Sequence, residues 1–307
     1  MRTPSLLATI ALLGLLGALW ARDARAIEVA GQLFVELDAR DLDPSGTNEV
    51  WTNRAPDPSA AGNFVKVGDP IVAEIGGVQC VDLNRFGPAG DSYQSELPAP
   101  AGLVGLDPTR TIEVWAYNPQ IAAEDTILSW GKRGGPDGSN MAFNYGYWWQ
   151  YGAVGHWNLD FQDIGWGAVP AAGQWHHLVY TYDGTTTRVY ADGQLANLEV
   201  LGPGAINTHP NTKIALAEQY LADGVNFDIG LGGTLAVARL RIHDEVLDDA
   251  QVLMNYEEEK GDFATICTPP AFVDPPEDEV TFKGIPYLFL RRLEVDGYPT
   301  PTVELLE

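Results

Sequence analysis

The strongest constraint on the fold is a pattern of short runs in which apolar residues occupy alternate positions. Gly, Pro, Asn and Asp interrupt these runs from about residue 27 onward. Period two is the signature of a strand with one buried face, and the runs are rich in β-branched and aromatic residues. The spacing predicts strands over 32–39, 70–75, 78–84, 111–118, 125–130, 140–145, 153–158, 176–182, 186–191, 197–201, 213–218 and 234–243. Asp183-Gly184 and Asp192-Gly193 are tight-turn dipeptides lying between or beside these strands. No long segment has helical period. One helix is predicted over 245–258, capped by Asp244, with Val246, Leu247, Ala250, Leu253 and Met254 near one face. Many short strands with regular turns specify an all-β chain, an antiparallel sandwich or jelly roll with one short helix near its C-terminal end.

The chain divides into four parts. Residues 1–26 read as a secretory signal. Arg2 opens them, Leu6 to Trp20 is almost wholly apolar, and Ala24-Arg25-Ala26 offers small residues for cleavage. That run is too short for a membrane span, so no membrane insertion is expected after cleavage. Residues 27–265 hold the strands. Cys267-Thr268-Pro269-Pro270 and Asp274-Pro275-Pro276 mark a stiff connector over 266–277, and 278–307 has the pattern of two or three further strands. Thirty residues are too few to bury a sandwich core alone. Cys80 and Cys267 are the only cysteines. An oxidising compartment permits a disulfide between them, and two unpaired thiols are the alternative.

Charge excludes some partners. Eighteen Lys and Arg stand against 42 Asp and Glu, a formal net charge of −24. Nucleic acid and anionic membrane surfaces need clustered basic residues, which this composition does not offer. The balance suits a secreted or cell-surface protein. The glycine-rich turn Gly131-Lys132-Arg133-Gly134-Gly135 is a local positive patch that could meet an acidic sugar, or be a plain hairpin loop.

The clearest chemical anomaly is aromatic. Trp130, Trp148, Trp149, Trp157 and Trp166 lie between 130 and 166 with Phe143, Tyr145, Tyr147, Tyr151 and Phe161. Alternation in a sandwich core accommodates one ring at every second position, and the run from Tyr145 to Tyr151 exceeds that. Some rings therefore belong to the other sheet face or to a loop. An open ring gives the C–H face of a sugar a stacking surface, with strength comparable to other aromatic contacts. Trp148, Trp149, Tyr151 and Trp157 are the candidate platforms. Asn144 and His156, together with Asn140, Gln150, Asn158 and Asp160, are candidate partners for sugar hydroxyls. Packing beneath a long loop, or a protein interface, would use the same rings.

Hard cations need oxygens converging from loops. Asp91, Asp137 and Asn140 are the candidate calcium ligands, with Asp160, Asp163 and Asp223 to Asn226 as further sources. None has EF-hand spacing, and turn chemistry accounts for each loop equally well. A glycosidase needs two carboxylates facing each other across a groove. Glu36 and Asp38 share a strand face, but Arg40 stands where a second Glu would be. Glu113 lies on a central strand and could face the concave side, without a partner. Trp175-His176-His177 places adjacent histidines on opposite faces of a strand, which argues for a structural role. No GxSxG elbow, P-loop or dinucleotide-binding glycine motif occurs.

Four stretches in order carry a resemblance. They are Thr111 to Trp115, Gly173 to Gly184 with Arg188 to Gly193, Ala238 to His243, and Val246 to Val252 with Asn255-Tyr256. Together they resemble the laminin-G-like, concanavalin A-like jelly-roll superfamily, in its secreted bacterial branch, over roughly 27–262. The resemblance implies a jelly roll, often with one calcium at its rim. It leaves function open, because lectins, adhesion modules and glycosidases share this fold. Pro270 to Val303 resembles the opening of an immunoglobulin- or cadherin-like repeat. Such a repeat runs about twice as far, so a piece of a longer protein is expected. The expected function is a secreted, non-catalytic module that binds a carbohydrate or an extracellular protein, with Ca2+ as the candidate cofactor. A structural or adhesion spacer is the alternative, and an enzyme on the same fold ranks third.

Overall fold

The computed structural model describes residues 26–57, 60–83, 90–134, 141–157, 162–228 and 230–264, and the backbone of 271–272 and 295–296. The chain opens with β1 (Leu33–Asp38), β2 (Val50–Trp51), β3 (Phe64–Val67), β4 (Ile71–Ile75), β5 (Val78–Asp82) and β6 (Ser92–Pro98). The middle holds β7 (Gly105–Leu106), β8 (Arg110–Tyr117), β9 (Thr126–Trp130), β10 (Met141–Asn144), β11 (Val154–Gly155) and β12 (Trp175–Tyr182). Then come β13 (Thr186–Ala191), β14 (Gln194–Val200), β15 (Asn207–Thr208), β16 (Lys213–Leu216), β17 (Ala236–His243) and α1 (Asp249–Phe263). A last pairing joins β18 (Ala271–Phe272) to β19 (Val295–Asp296).

Two antiparallel sheets form the body. One runs β14-β13-β12-β8-β17-β5-β4, with β1 also on β17; the other runs β11-β10-β9-β16-β6-β3-β2. Alternation decides what fills the space between them. On β8 and β12, Ile112, Val114, Ala116, Leu178, Tyr180 and Tyr182 face inward and meet Leu128, Trp130, Phe143, Ile214 and Leu216 of the other sheet. This is the expected all-β sandwich with one helix near the C-terminal end. Both turn dipeptides stand where predicted. Asp192 and Gly193 join β13 to β14 with φ of 51° and 75°, the left-handed pair that a two-residue hairpin requires.

The remaining positions of β8, β12 and β17 point the other way, and α1 covers them. Trp115 stacks on Phe263 at 3.9 Å and donates its indole N–H to Glu259 at 2.8 Å. The helix differs from its prediction. It begins at Asp249, capped by Asp248, which accepts from the Gln251 backbone while Gln251 reaches back to the Asp248 N–H. Asp244 instead accepts from the Gln32 backbone. Leu247 precedes the helix, and its N–H donates to the Thr111 hydroxyl at 2.9 Å. The buried face is therefore Val252, Asn255, Glu259 and Phe263, and Leu253 is exposed.

Apart from β18, which falls within the expected connector, five strands escaped the sequence pattern: β2, β3, β6, β7 and β15. Three of them have only two residues, and β6 (SYQSELP) is mostly polar. Cys80 is buried, its thiol donates to the Ala73 carbonyl, and burial pushes that thiol up to about 12. Cys267 lies outside the described residues, so the two alternatives, a bridge and two unpaired thiols, rest on sequence alone. Among the described residues no helix is long and apolar enough to cross a membrane.

Candidate functional site

The aromatic window divides into two populations. Phe143, Tyr145, Trp130 and Trp166 are buried in the sandwich core. Trp130 donates its N–H to the Leu103 carbonyl at 3.1 Å, and Trp166 to the Gly152 carbonyl at 3.0 Å. Tyr147, Trp148 and Trp149 are open to solvent, with Trp149 73% exposed. Tyr151 and Trp157 are half-buried between the two groups, and Phe161 lies outside the described residues.

The chain between β10 and β11 forms a folded loop. Tyr147 and Trp148 donate backbone N–H groups to the Ala122 and Ala123 carbonyls, and Gly152 donates back to Trp148. Gly165 lies against it so closely that a Cβ there would stand 2.2 Å from the Trp149 carbonyl oxygen. Only glycine permits that approach. Beyond β11, Trp157 adopts φ +53°, a left-handed conformation that costs a bulky residue about 1–2 kcal/mol. Asp163 holds it there. Its Oδ1 accepts from the His156 N–H at 2.6 Å and from the Trp157 N–H at 3.1 Å.

These constraints shape a cavity of about 500 Å³. Trp149, Tyr151 and Trp157 supply its rings, Ile164 and Gly165 part of its lining, and Arg133, Gln150, Asp163, Asn197 and Glu199 its polar groups. Tyr151 and Trp157 stand 4.8 Å apart at 53°. Trp148 does not line the cavity. It stacks on Tyr151 at 5.7 Å and supports that ring from outside. The Arg133 guanidinium lies 5.1 Å from the centre of the Trp157 ring, donating to Asp228 at 2.8 Å and to Gln219 at 2.6 Å.

Asn144 and His156 differ from expectation, because both are closed off from solvent. Asn144 donates to the Tyr151 carbonyl at 3.0 Å, and His156 Nε2 pairs with the Tyr180 hydroxyl at 3.2 Å. Burial, with the charge of Arg110 adding to it, lowers the His156 imidazole to about 3 and keeps it neutral. Both side chains serve the framework beneath the rings, where a sugar does not reach them. Sequence reading did not single out Asn197 and Glu199 as pocket groups. They sit on β14, whose pairing in the other sheet brings it beside the loop only in three dimensions.

Of the three candidate calcium ligands, Asp91 alone lies among the described residues. Asp91 accepts from the Asp69 backbone at 2.8 Å and shapes a turn. Asp137 and Asn140 lie outside the described residues. Among the described residues no group of three or more His, Cys, Asp or Glu could hold a metal ion. Asp223 accepts from the Val225 and Asn226 backbone, which is turn chemistry.

The candidate catalytic carboxylates are engaged elsewhere. Asp38 accepts from Arg40 and Arg54, and Glu36 stands 3.6 Å from Arg241. Glu113 does not face a concave surface. Its parity on β8 turns it away from the sandwich and under α1, where it is 1% exposed. His176 and His177 do point to opposite faces. His176 meets Asp192 at 2.7 Å, and His177 lies 3.3 Å from Glu113.

Domain 4 of AbnA, a GH43 extracellular arabinanase from Geobacillus stearothermophilus solved in complex with arabinotriose, is 18% identical. It superposes with a TM-score of 0.50, covering 73% of this chain and 98% of that one. Trypanosoma rangeli sialidase in complex with the inhibitor DANA is 13% identical, with a TM-score of 0.47 over 75% of this chain and 33% of the sialidase. The binding domain of Paraclostridial Mosquitocidal Protein 1 is 11% identical, with a TM-score of 0.46, covering 73% of this chain and 52% of that one. At 18% identity the likeness to the arabinanase domain concerns fold. No curated protein matches the sequence. Residues 90–253, more than half of the chain, match the family described as the concanavalin A-like lectin/glucanases superfamily. With that match and the two-sheet architecture, the chain belongs to the concanavalin A-like lectin/glucanase superfamily.

Proposed function

We propose that the protein is a secreted, non-catalytic carbohydrate-binding module that holds a glycan in the ring-lined pocket. The observation that carries this reading is Trp149, 73% exposed on the wall of a cavity of about 500 Å³. A large indole left in water costs hydrophobic free energy unless a ligand covers it. Tyr151 and Trp157 face the same space, and Gln150 and Asn197 supply neutral donors and acceptors for hydroxyls. Secretion is supported by the leader pattern of residues 1–26. The non-catalytic reading is supported by the engagement of Glu36, Asp38 and Glu113 in ion pairs and by the burial of Glu113.

A glycan panel tests this, with arabinan oligosaccharides included because of the arabinotriose complex of the arabinanase domain. Binding that Trp149→Ala weakens several-fold is expected. A panel without binders, or binding indifferent to Trp149→Ala, would remove the reading. A second reading, a protein contact within a larger surface protein, draws on β14. That strand ends its sheet and exposes Leu195, Leu198 and Val200.

A further inference from the structure

Resting on the glycan-binding reading above, we infer that this pocket selects sugars carrying an N-acetyl group, whose carbonyl oxygen accepts from the Trp157 indole and the Arg133 guanidinium. Two nitrogens on the lining lack a partner. Trp157 Nε1 and Arg133 Nε are both closed off from water, and neither donates to any group of the protein. The terminal nitrogens of Arg133 are taken, one by Asp228 and the other by Gln219, which fixes the guanidinium with Nε left over. The guanidinium lies 5.1 Å from the centre of the Trp157 ring, so the two unused N–H groups belong to one corner of the cavity. Buried donors are nearly always paired, and two unpaired ones beside a cavity mark a place for an acceptor.

That acceptor is neutral. Arg133 is the one cation among the described residues that line the cavity, and Asp228 already meets its charge at 2.8 Å. Asp163 and Glu199 line the same cavity, so a uronate or sulfate would add a like charge, in a chain of net charge −24. A protonated amine would bring donors where donors already lack partners. An amide carbonyl oxygen takes two N–H groups at once and carries no proton, whereas a hydroxyl brings a proton that needs a further acceptor.

The rest of an acetamido group suits the other walls. Its methyl needs apolar surface, which Trp149, Tyr151 and Ile164 give. Its N–H needs an acceptor, and Gln150 and Glu199 both line the cavity. Gly155 closes one side of the Trp157 indole, since a Cβ there would stand 2.8 Å from Nε1. Tyr151 stands against the same indole at 4.8 Å and is half-buried. Water does not reach the two N–H groups, so the carbonyl gains them by turning the Tyr151 ring aside.

The test measures the chain by calorimetry against two matched pairs, tetra-N-acetylchitotetraose with cellotetraose and methyl N-acetylgalactosaminide with methyl galactoside. Within each pair only the acetamido group is exchanged for a hydroxyl. In at least one pair the acetamido sugar should bind at least about tenfold tighter than its twin. Trp157→Phe keeps a ring and removes the N–H, and should cut that preference to less than about threefold. Trp149→Ala should weaken both members of the pair alike. In the unmodified chain a tryptophan indole N–H resonance should move with the acetamido sugar and hold still with its twin, a readout that needs no variant to fold. A preference that persists in Trp157→Phe, or an indole N–H spectrum that the acetamido sugar leaves unchanged, would overturn the inference. Twins that bind equally and weaken together in Trp149→Ala, or binding of arabinan oligosaccharides alone, would overturn it and keep the glycan pocket. No binding by any saccharide would overturn both.

Discussion

His243 Nε2 lies 3.1 Å from the Glu113 carboxylate, and neither side chain is open to water. The other ring nitrogen of His243 accepts from the Ala30 backbone, so the Nε2 proton is the one directed at Glu113. Asn255 of α1 donates to both oxygens of the same carboxylate at 2.9 and 3.1 Å. One buried carboxylate therefore joins the N-terminal chain, the central strands and the helix.

Removing that carboxylate leaves His243 Nε2 without its acceptor, and Asn255 keeps only the Glu28 carbonyl at 3.1 Å. Glu113→Ala should destabilise the fold by about 3–5 kcal/mol, read as a lower urea midpoint. Burial acts to raise the Glu113 carboxyl, but the contacts of His177 and His243 and the charge of Arg241 outweigh it and hold the group below the ordinary range. The unfolded chain then takes the proton first. The contribution of Glu113 is complete above a pH of about 4.3 and drains away below it, a loss that the variant should not show.

His156 gives a second pH dependence at higher pH. Its imidazole is lowered to about 3, chiefly by burial, so the unfolded state binds a proton that the folded state refuses. Stability is complete above a pH of about 6.5 and falls as pH drops toward 3, by up to about 1.4 kcal/mol per pH unit. Denaturation of the wild type and His156→Gln between pH 6.5 and 5 checks this. The variant should show the shallower slope.

Gly165→Ala tests how the loop is seated. A Cβ placed 2.2 Å from a backbone oxygen cannot be accommodated by side-chain rotation. The loop must shift, at a cost of about 1–3 kcal/mol. The displaced Trp149 wall should appear as changed indole emission and a lower glycan affinity.

Trp149 and Trp166 are close in sequence and should respond in opposite ways. Trp149→Ala removes an exposed ring, so stability should stay within about 0.5 kcal/mol while glycan affinity falls several-fold. Trp166→Ala opens a hole in the core and should cost about 3–5 kcal/mol. Thermal melts and calorimetry on the two variants separate the roles.

Sequence alone determined the sandwich, because side-chain parity along a strand is local. Val114 and Leu178 face the core in any register that keeps Ile112 and Tyr180 there. The turn at Asp192-Gly193 was equally local, since φ must be positive at both residues. It also marked Trp149, Tyr151 and Trp157 as too many rings for one face. Tertiary structure decided the rest. Parity says that Glu113 opposes Val114, but only the packing of α1 makes its face an interior. Nothing in the spacing of Asn144 and His156 distinguishes a rim from a floor, and the folded loop puts both underneath. Asn197 and Glu199 are more than thirty residues from the loop they face, and Arg133 finds Asp228 and Gln219 across the fold. A pocket assembled from distant segments has no period to read, because its geometry depends on how two sheets are laid against each other.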